Sequence, residues 1–193
     1  MSATLRRWSY LAVLGLVLAA IVHLGSMLAI PSFAANNADA RLAQFAGRHV
    51  VTPLPAAAAG PSALPYRDPA AAMAVCRYDL SSGPVRILAN AGELFLSLGF
   101  HRATGGVFYA LTDRSAVRGQ IEVLVTTQPQ LEAIQANDPE DEPVRELRLV
   151  SPETTGFITF RALAPEPGLA ADAAALVASA QCRPEPAKPA AKR

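Results

Sequence analysis

Residues 73–89 read MAVCRYDLSSGPVRILA. From Met73 to Leu80 the side chains alternate: Ala74, Cys76, Tyr78 and Leu80 face one way, and Val75, Arg77 and Asp79 the other. A period of two marks a strand with one buried face. Ser81-Ser82-Gly83-Pro84 is turn chemistry, and Val85 to Ala89 returns as a second β-prone run. The stretch therefore predicts a hairpin. The same logic extends downstream. Leu94 to His101 and Val107 to Thr112 predict a second hairpin around Ala103-Thr104-Gly105-Gly106, whose glycines supply the positive φ of a tight turn. Ile121 to Thr126 is a short β-branched run and predicts a fifth strand.

The pattern changes at Thr127. Thr127 can cap a helix, Pro129 suits its first turn, and Leu131, Ile134 and Gln135 follow at helical spacing. The helix stops near Asn137, because Asp138-Pro139-Glu140-Asp141-Glu142-Pro143 cannot continue it. Val144 to Val150 alternates imperfectly as a strand, and Phe157 to Leu163 is another. Gly168 to Gln181 predicts a second helix, with Leu169, Ala173, Leu176, Val177 and Ala180 in one stripe. Five strands, a helix, two strands and a helix make an α+β domain with mostly antiparallel pairing and about two helices.

Ahead of this domain, Tyr10 to Ile30 reads YLAVLGLVLAAIVHLGSMLAI, 21 residues without a charge. At about 1.5 Å per residue it covers the ~30 Å core of a bilayer. Arg6 and Arg7 precede it, with Trp8 and Tyr10 at the interfacial level. The positive flank predicts a cytoplasmic N-terminus and a periplasmic main domain. Arg41 and Arg48 on the far side, partly offset by Asp39, oppose that orientation. Ser32-Phe33-Ala34 offers small residues where a signal peptidase inspects the chain, so a cleaved signal peptide is the rival reading. The apolar run exceeds the 7–15 residues of a typical signal core, which favours an uncleaved anchor. Within the span, Gly15, Ala19, His23 and Ser26 share a helix face and are candidates for contact with another membrane helix.

The resulting organisation is a cytoplasmic N-terminus (1–9), a transmembrane helix (10–30), a juxtamembrane segment and Pro/Ala linker (31–65), a periplasmic α+β domain (66–182) and a disordered basic tail (183–193). Residues 36–51 suit a short helix capped by Asn37 or Asp39, with Leu42, Phe45 and Ala46 on one side. Thr52 to Pro65, TPLPAAAAGPSALP, reads as a spacer. The formal net charge of +1 over 193 residues is a cancellation. Residues 1–65 and 183–193 each carry +3, and residues 66–182 carry −5. A nucleic-acid binder needs a basic face, and this domain is acidic, so nucleic acid is excluded as a partner.

Two cysteines, Cys76 and Cys182, stand at the two ends of the domain. An oxidising compartment favours a disulfide between them, and separate thiols are the alternative. The chain contains no C-x-x-C, H-E-x-x-H, Walker loop or G-x-G-x-x-G, so neither a metal nor a cofactor is expected. Phe95-Leu96-Ser97-Leu98-Gly99 lacks the first glycine of a nucleophile elbow. Asp138, Glu140, Asp141 and Glu142 lack the spacing of a calcium loop. His101 and Asp113 form an acid–base pair if the second hairpin aligns them. Arg102, Arg114 and Arg118, near hairpin ends, are candidates for recognising a phosphate or carboxylate. No catalytic residue is assigned.

Ala74 to Val85, AVCRYDLSSGPV, resembles the D-L-S-x-G-P-V hairpin of the bacterial domain-of-unknown-function 1254 family, whose members occur in the cell envelope. Phe95-Leu96-Ser97-Leu98 and Gly106-Val107-Phe108-Tyr109 continue the likeness. The chain is similar to its small, membrane-anchored alphaproteobacterial members over about residues 66–182. The second β domain of larger members is absent from this sequence, and the resemblance brings no catalytic residues. Two functions follow as expectations. The first is a non-enzymatic single-pass inner-membrane protein whose periplasmic domain binds another envelope protein. The second is a periplasmic small-ligand receptor or hydrolase using an Arg/His/Asp site. A pocket holding His101 and Asp113 within hydrogen-bond reach favours the second; dispersed polar groups favour the first.

Overall fold

The computed structural model describes residues 2–33, 37–56, 67–138 and 146–186. The chain divides into two compact units, Met1–Asn36 and Asn37–Arg193.

The first unit is one helix, α1 (Ala3–Phe33). Its stretch Ala3–Ile30 is long and apolar enough to cross a membrane by length and composition, and a signal sequence passes the same test. Two of its hydroxyls are satisfied locally: Ser9 Oγ donates to the Arg6 carbonyl at 2.9 Å and Ser26 Oγ to the His23 carbonyl at 2.8 Å. That local bonding lets a polar side chain enter lipid without an unmet donor.

In the second unit the elements are α2 (Ala38–Leu42), β1 (Val51–Pro53), β2 (Ala71–Asp79), β3 (Val85–Asn90), β4 (Leu96–Arg102) and β5 (Val107–Thr112). They continue as β6 (Gln120–Thr126), α3 (Gln128–Gln135), β7 (Leu147–Val150), β8 (Thr155–Leu163), α4 (Ala170–Ala178) and β9 (Gln181–Pro184). The strands form two sheets, one ordered β1-β2-β8-β4-β5 and the other β7-β6-β3-β9. Every pairing is antiparallel except β6 with β7, which is parallel across α3. The class is α+β, as the sequence predicts.

The two sheets face each other across one core. Ala74, Cys76, Tyr78, Leu98, Phe100, Ile158 and Phe160 of the first sheet and Val85, Ile87, Ile121, Val123 and Val125 of the second are buried together, with Ala173 and Val177 of α4. The face that alternation assigns to Ala74, Cys76, Tyr78 and Leu80 is therefore the inner one. The predicted hairpin is not formed, however. β2 and β3 lie in different sheets, and β2 pairs along its nine residues with β8, from Ala71↔Leu163 to Asp79↔Thr155. Leu80, Gly83 and Pro84 are buried, so the turn carries the chain from one sheet across to the other. Both strands still direct their apolar faces inward, which is why the alternation looks the same in either arrangement.

The second hairpin forms as predicted, from Ser97↔Thr112 to His101↔Val107, with Gly105 and Gly106 at φ 111° and 81°. A bulge interrupts it between Phe100 and His101. At α3, the Thr127 amide donates to Gln130 Oε1 at 2.9 Å, half of a capping box. β7 begins at Leu147; Val144 and Arg145 lie outside the described residues, as do Glu140, Asp141 and Glu142.

Two differences sit at the ends of the domain. Leu42, Ala46 and Leu54 are buried against Val75 and Phe157 on the outer face of the first sheet. α2, capped by Asn37, and β1 thus belong to the folded unit, and Val51–Pro53 is a strand where a spacer begins in the sequence reading. Arg77 reinforces this docking by donating from Nε to Asp39 Oδ1 at 3.0 Å and from Nη2 to Oδ2 at 3.2 Å. Most of the Pro/Ala linker, 57–66, lies outside the described residues. At the other end, Arg183 and Pro184 pair with Arg86 and Val85, so β9 occupies the start of the expected tail. Residues 187–193 lie outside the described residues.

Cys76 and Cys182 form a disulfide, with S–S 1.99 Å and Cα–Cα 6.5 Å. The bridge joins β2 of one sheet to β9 of the other, clamping the sandwich at its C-terminal strand.

Candidate functional site

The five ligand candidates divide between the two ends of the β4–β5 hairpin. His101 and Arg102 lie at its turn; Asp113 and Arg114 follow β5 at its open end, where Thr112 pairs with Ser97. Four strand residues, ~13 Å, separate the His101 and Ser97 levels. His101 and Asp113 therefore make no acid–base pair. The His101 ring stacks on Phe157 with centroids 4.5 Å apart, and its Nε2 lies 3.2 Å from Thr159 Oγ1. Burial lowers its pKa below the ordinary 6.5, so it is a neutral packing group on the outer sheet face.

Of the other three, Arg118 alone lines a different feature; Asp113 and Arg114 lie in the turn that leads to it. β5 leads through the 3-10 turn Asp113–Ser115 into a tight turn at Val117–Gln120, closed by reciprocal backbone bonds of 2.9 and 3.1 Å. Its central residues, Arg118 and Gly119, have φ 54° and 79°, the signature of a type I′ turn. The chain then enters β6. β7 accompanies β6 from Val123 onward, and Glu146, just before β7, lies beside Glu122, both carboxylates meeting Arg86 Nη1. The result is a cleft of about 630 Å³ between the end of β5 and the start of β6 and β7. Leu111, Val117, Ile121, Val123 and Leu147 give it apolar walls, and Ser115, Arg118, Gln120, Glu122 and Glu146 supply polar groups. Arg118 is exposed at the mouth.

The two cleft carboxylates are not free. Arg86 of β3 donates from Nη1 to Glu122 and, at 2.5 Å, to Glu146 Oε2, and from Nε to Glu185. Arg148 donates from Nε to Glu146 Oε1 at 3.1 Å and from Nη2 to Asp138 Oδ1 at 2.9 Å. Glu185, followed by Glu146, holds the Arg86 guanidinium well above its ordinary pKa. This cluster escaped sequence reasoning. Its signal is a charged residue between apolar neighbours in each strand, Val85-Arg86-Ile87 and Ile121-Glu122-Val123, but the pairing that joins them is not written locally. Among the described residues no group of three His, Cys, Asp or Glu side chains is placed to hold a metal. Asp138, considered above for calcium, is instead Arg148's partner. On α1, Gly15, Ala19, His23 and Ser26 are all exposed along one stripe.

Fold and site define a two-sheet α+β domain with a lateral cleft, preceded by an apolar helix. No protein-family model and no curated protein matches the chain. Among solved structures it is similar to the VPA0106 protein from Vibrio parahaemolyticus, with TM-score 0.56 and 10% identity over 85% of this chain and 40% of that one. It is also aligned with an uncharacterised protein from Burkholderia cenocepacia, with TM-score 0.39 and 15% identity over 63% of this chain and 31% of that one. The chain thus spans about two fifths of the length of the Vibrio protein. That likeness shows the fold alone.

Proposed function

We propose that the protein is a single-pass inner-membrane protein, its N-terminus cytoplasmic, whose periplasmic domain binds a segment of another envelope protein. The observation that carries this reading is the cleft: apolar walls with an exposed Arg118 among its lining residues. Apolar walls beside an exposed cation suit a peptide segment that seats an apolar side chain in the cleft and a carboxylate against Arg118. Arg6 and Arg7 ahead of α1 support the orientation, and the disulfide supports an oxidising compartment. The likeness to the domain-of-unknown-function 1254 family supports the same envelope setting. Separation of His101 from Asp113 removes the acid–base pair on which the hydrolase reading rested.

A small ligand in the same cleft is the second reading, favoured by a volume inside the range of such sites. A photo-crosslinking residue at Val117 or Leu147, activated in native membranes, separates the two. A defined protein adduct from both positions, absent from the same probe at Asp172, is the expected result. Adducts to no protein, with a small molecule retained on the purified chain, favour the second reading and overturn the first.

A further inference from the structure

Of the four sheet edges, three carry features that discourage pairing with another chain. β1 has three residues and ends in Pro53; β7 has four and includes Arg148; β9 has four and includes Arg183 and Pro184. Short length, charge and proline are the usual means of blunting an edge. The fourth edge, β5, is the six-residue run Val-Phe-Tyr-Ala-Leu-Thr. It has no charge, proline or glycine, and Val107 and Tyr109 are 54% and 38% exposed. Its bulge at Phe108 leaves Tyr109–Thr112 in regular register with β4. Among the described residues β5 pairs with β4 alone.

The groups at the two ends of β5 are complementary. At the turn end, the Arg102 guanidinium lies against Gly106: Nη2 is 2.8 Å from where a Cβ on Gly106 would stand. Arg102 has no carboxylate partner among the described residues. At the exit end, Asp113 has a buried Oδ1 without a hydrogen-bond partner and no ion pair among the described residues. Oδ1 is enclosed by its own chain, so a cation of another chain would meet the carboxylate from its solvent side, where no ion pair among the described residues competes. Antiparallel pairing of β5 with β5 brings the turn end of one copy to the exit end of the other. Arg102 then meets Asp113 of the other copy, twice by symmetry. Parallel pairing would instead set Arg102 beside Arg102.

We infer that β5 is a self-association edge, joining two copies antiparallel into one continuous ten-stranded sheet locked by two Arg102–Asp113 pairs. The contact is isologous, so it closes as a dimer and leaves no further edge of this kind exposed. This inference rests on the β5 edge and its two end groups, not on what the cleft holds; Leu111 is the one β5 residue that lines the cleft.

The test is the mass of the detergent-solubilised full chain, corrected for detergent, with near-ultraviolet circular dichroism confirming that each variant is folded. The wild-type chain is expected at twice its own mass. Ala110→Lys, which puts a charge on the edge, and Arg102→Asp, which places two carboxylates together, are each expected to halve it. The double exchange Arg102→Asp with Asp113→Arg is expected to restore the twofold mass. A monomeric wild type overturns the inference. So does a dimer indifferent to Ala110→Lys, which would place the contact elsewhere, such as along α1. A folded double exchange that stays monomeric overturns it too.

Discussion

Gly156 is where the two sides of β8 leave no room for a side chain. A Cβ there would stand 2.3 Å from the His101 carbonyl oxygen and 2.4 Å from the Tyr78 hydroxyl. Tyr78 is held in that place because its hydroxyl lies 3.0 Å from Ser151 Oγ inside the core. Gly156→Ala therefore forces backbone or a buried ring to move, and a loss of about 2–3 kcal/mol is expected in urea unfolding. Tyr78→Phe does not rescue it, because the His101 carbonyl is untouched by that change. Histidine burial gives a second outcome at this scale. Burial holds both His49 and His101 below their ordinary 6.5. Asp79 and Arg48 beside His49 act in opposite directions and do not reverse that shift. The unfolded chain then binds more protons below about pH 6.5, so stability is full above that value and falls as pH drops through the lowered folded values. Asp79, held low chiefly by the Ser81 hydroxyl, adds a separate loss only below its ordinary 3.8. Urea midpoints at pH 7.5 and 5.5 check the first step, and His101→Gln should shrink it. Sequence alone named His101 for chemistry because a histidine near an aspartate is a familiar pair. Only the strand register reveals Phe157 as its neighbour.

Elements were legible in kind and much less so in partnership. Alternation from Ala74 to Leu80 identifies the buried face because apolar burial repeats every second residue, whichever strand lies alongside. It says nothing about whether Val85 to Ala89 returns beside it or crosses to a second sheet, and here it crosses. Pro53 and Pro184 concealed β1 and β9, since proline reads as a break unless the strand is known to sit at an edge. The cleft was hidden for the same reason: Leu111, Ile121 and Leu147 meet only after three strands have been placed. Arg118 alone among the sequence candidates lines it. The disulfide was accessible from composition, and its consequence can be stated at this scale. It spans 106 residues, so removing it frees an unfolded chain otherwise closed into a long loop, worth about 4–5 kcal/mol in the chain-entropy model. Cys76→Ala with Cys182→Ala should lower the denaturant midpoint accordingly, and adding reductant should move the wild-type midpoint to match. Among the described residues β9 pairs with β3 alone, backed by the Glu185–Arg86 pair and the Glu185 amide's bond to the Pro84 carbonyl, so its amides should exchange first in the reduced protein.

At the scale of the whole molecule, the mean hydropathy of +0.24 comes largely from α1, and the neutral net charge from an acidic centre between basic ends. Neither average describes the folded unit, whose limits are set by burial. Leu42 is fully buried and Ala46 nearly so, both well before the first strand the sequence announces. Their partners, Val75 and Phe157, are on the outer face of the first sheet, which would otherwise present apolar surface to water. Arg77 there would also lose Asp39, leaving a largely buried guanidinium without its carboxylate. A chain beginning at Asn37 should therefore be soluble, folded and able to oxidise Cys76 to Cys182. A chain beginning at Arg67 keeps the other eight strands yet loses α2, β1 and three buried leucine and alanine side chains. At about 2–3 kcal/mol for each large buried side chain, that loss is comparable to the whole stability of a small domain. The shorter chain should aggregate or melt far lower, by thermal circular dichroism after expression in an oxidising compartment. Equal melting of the two chains would mean that residues 37–54 rest on the sheet without contributing to its stability.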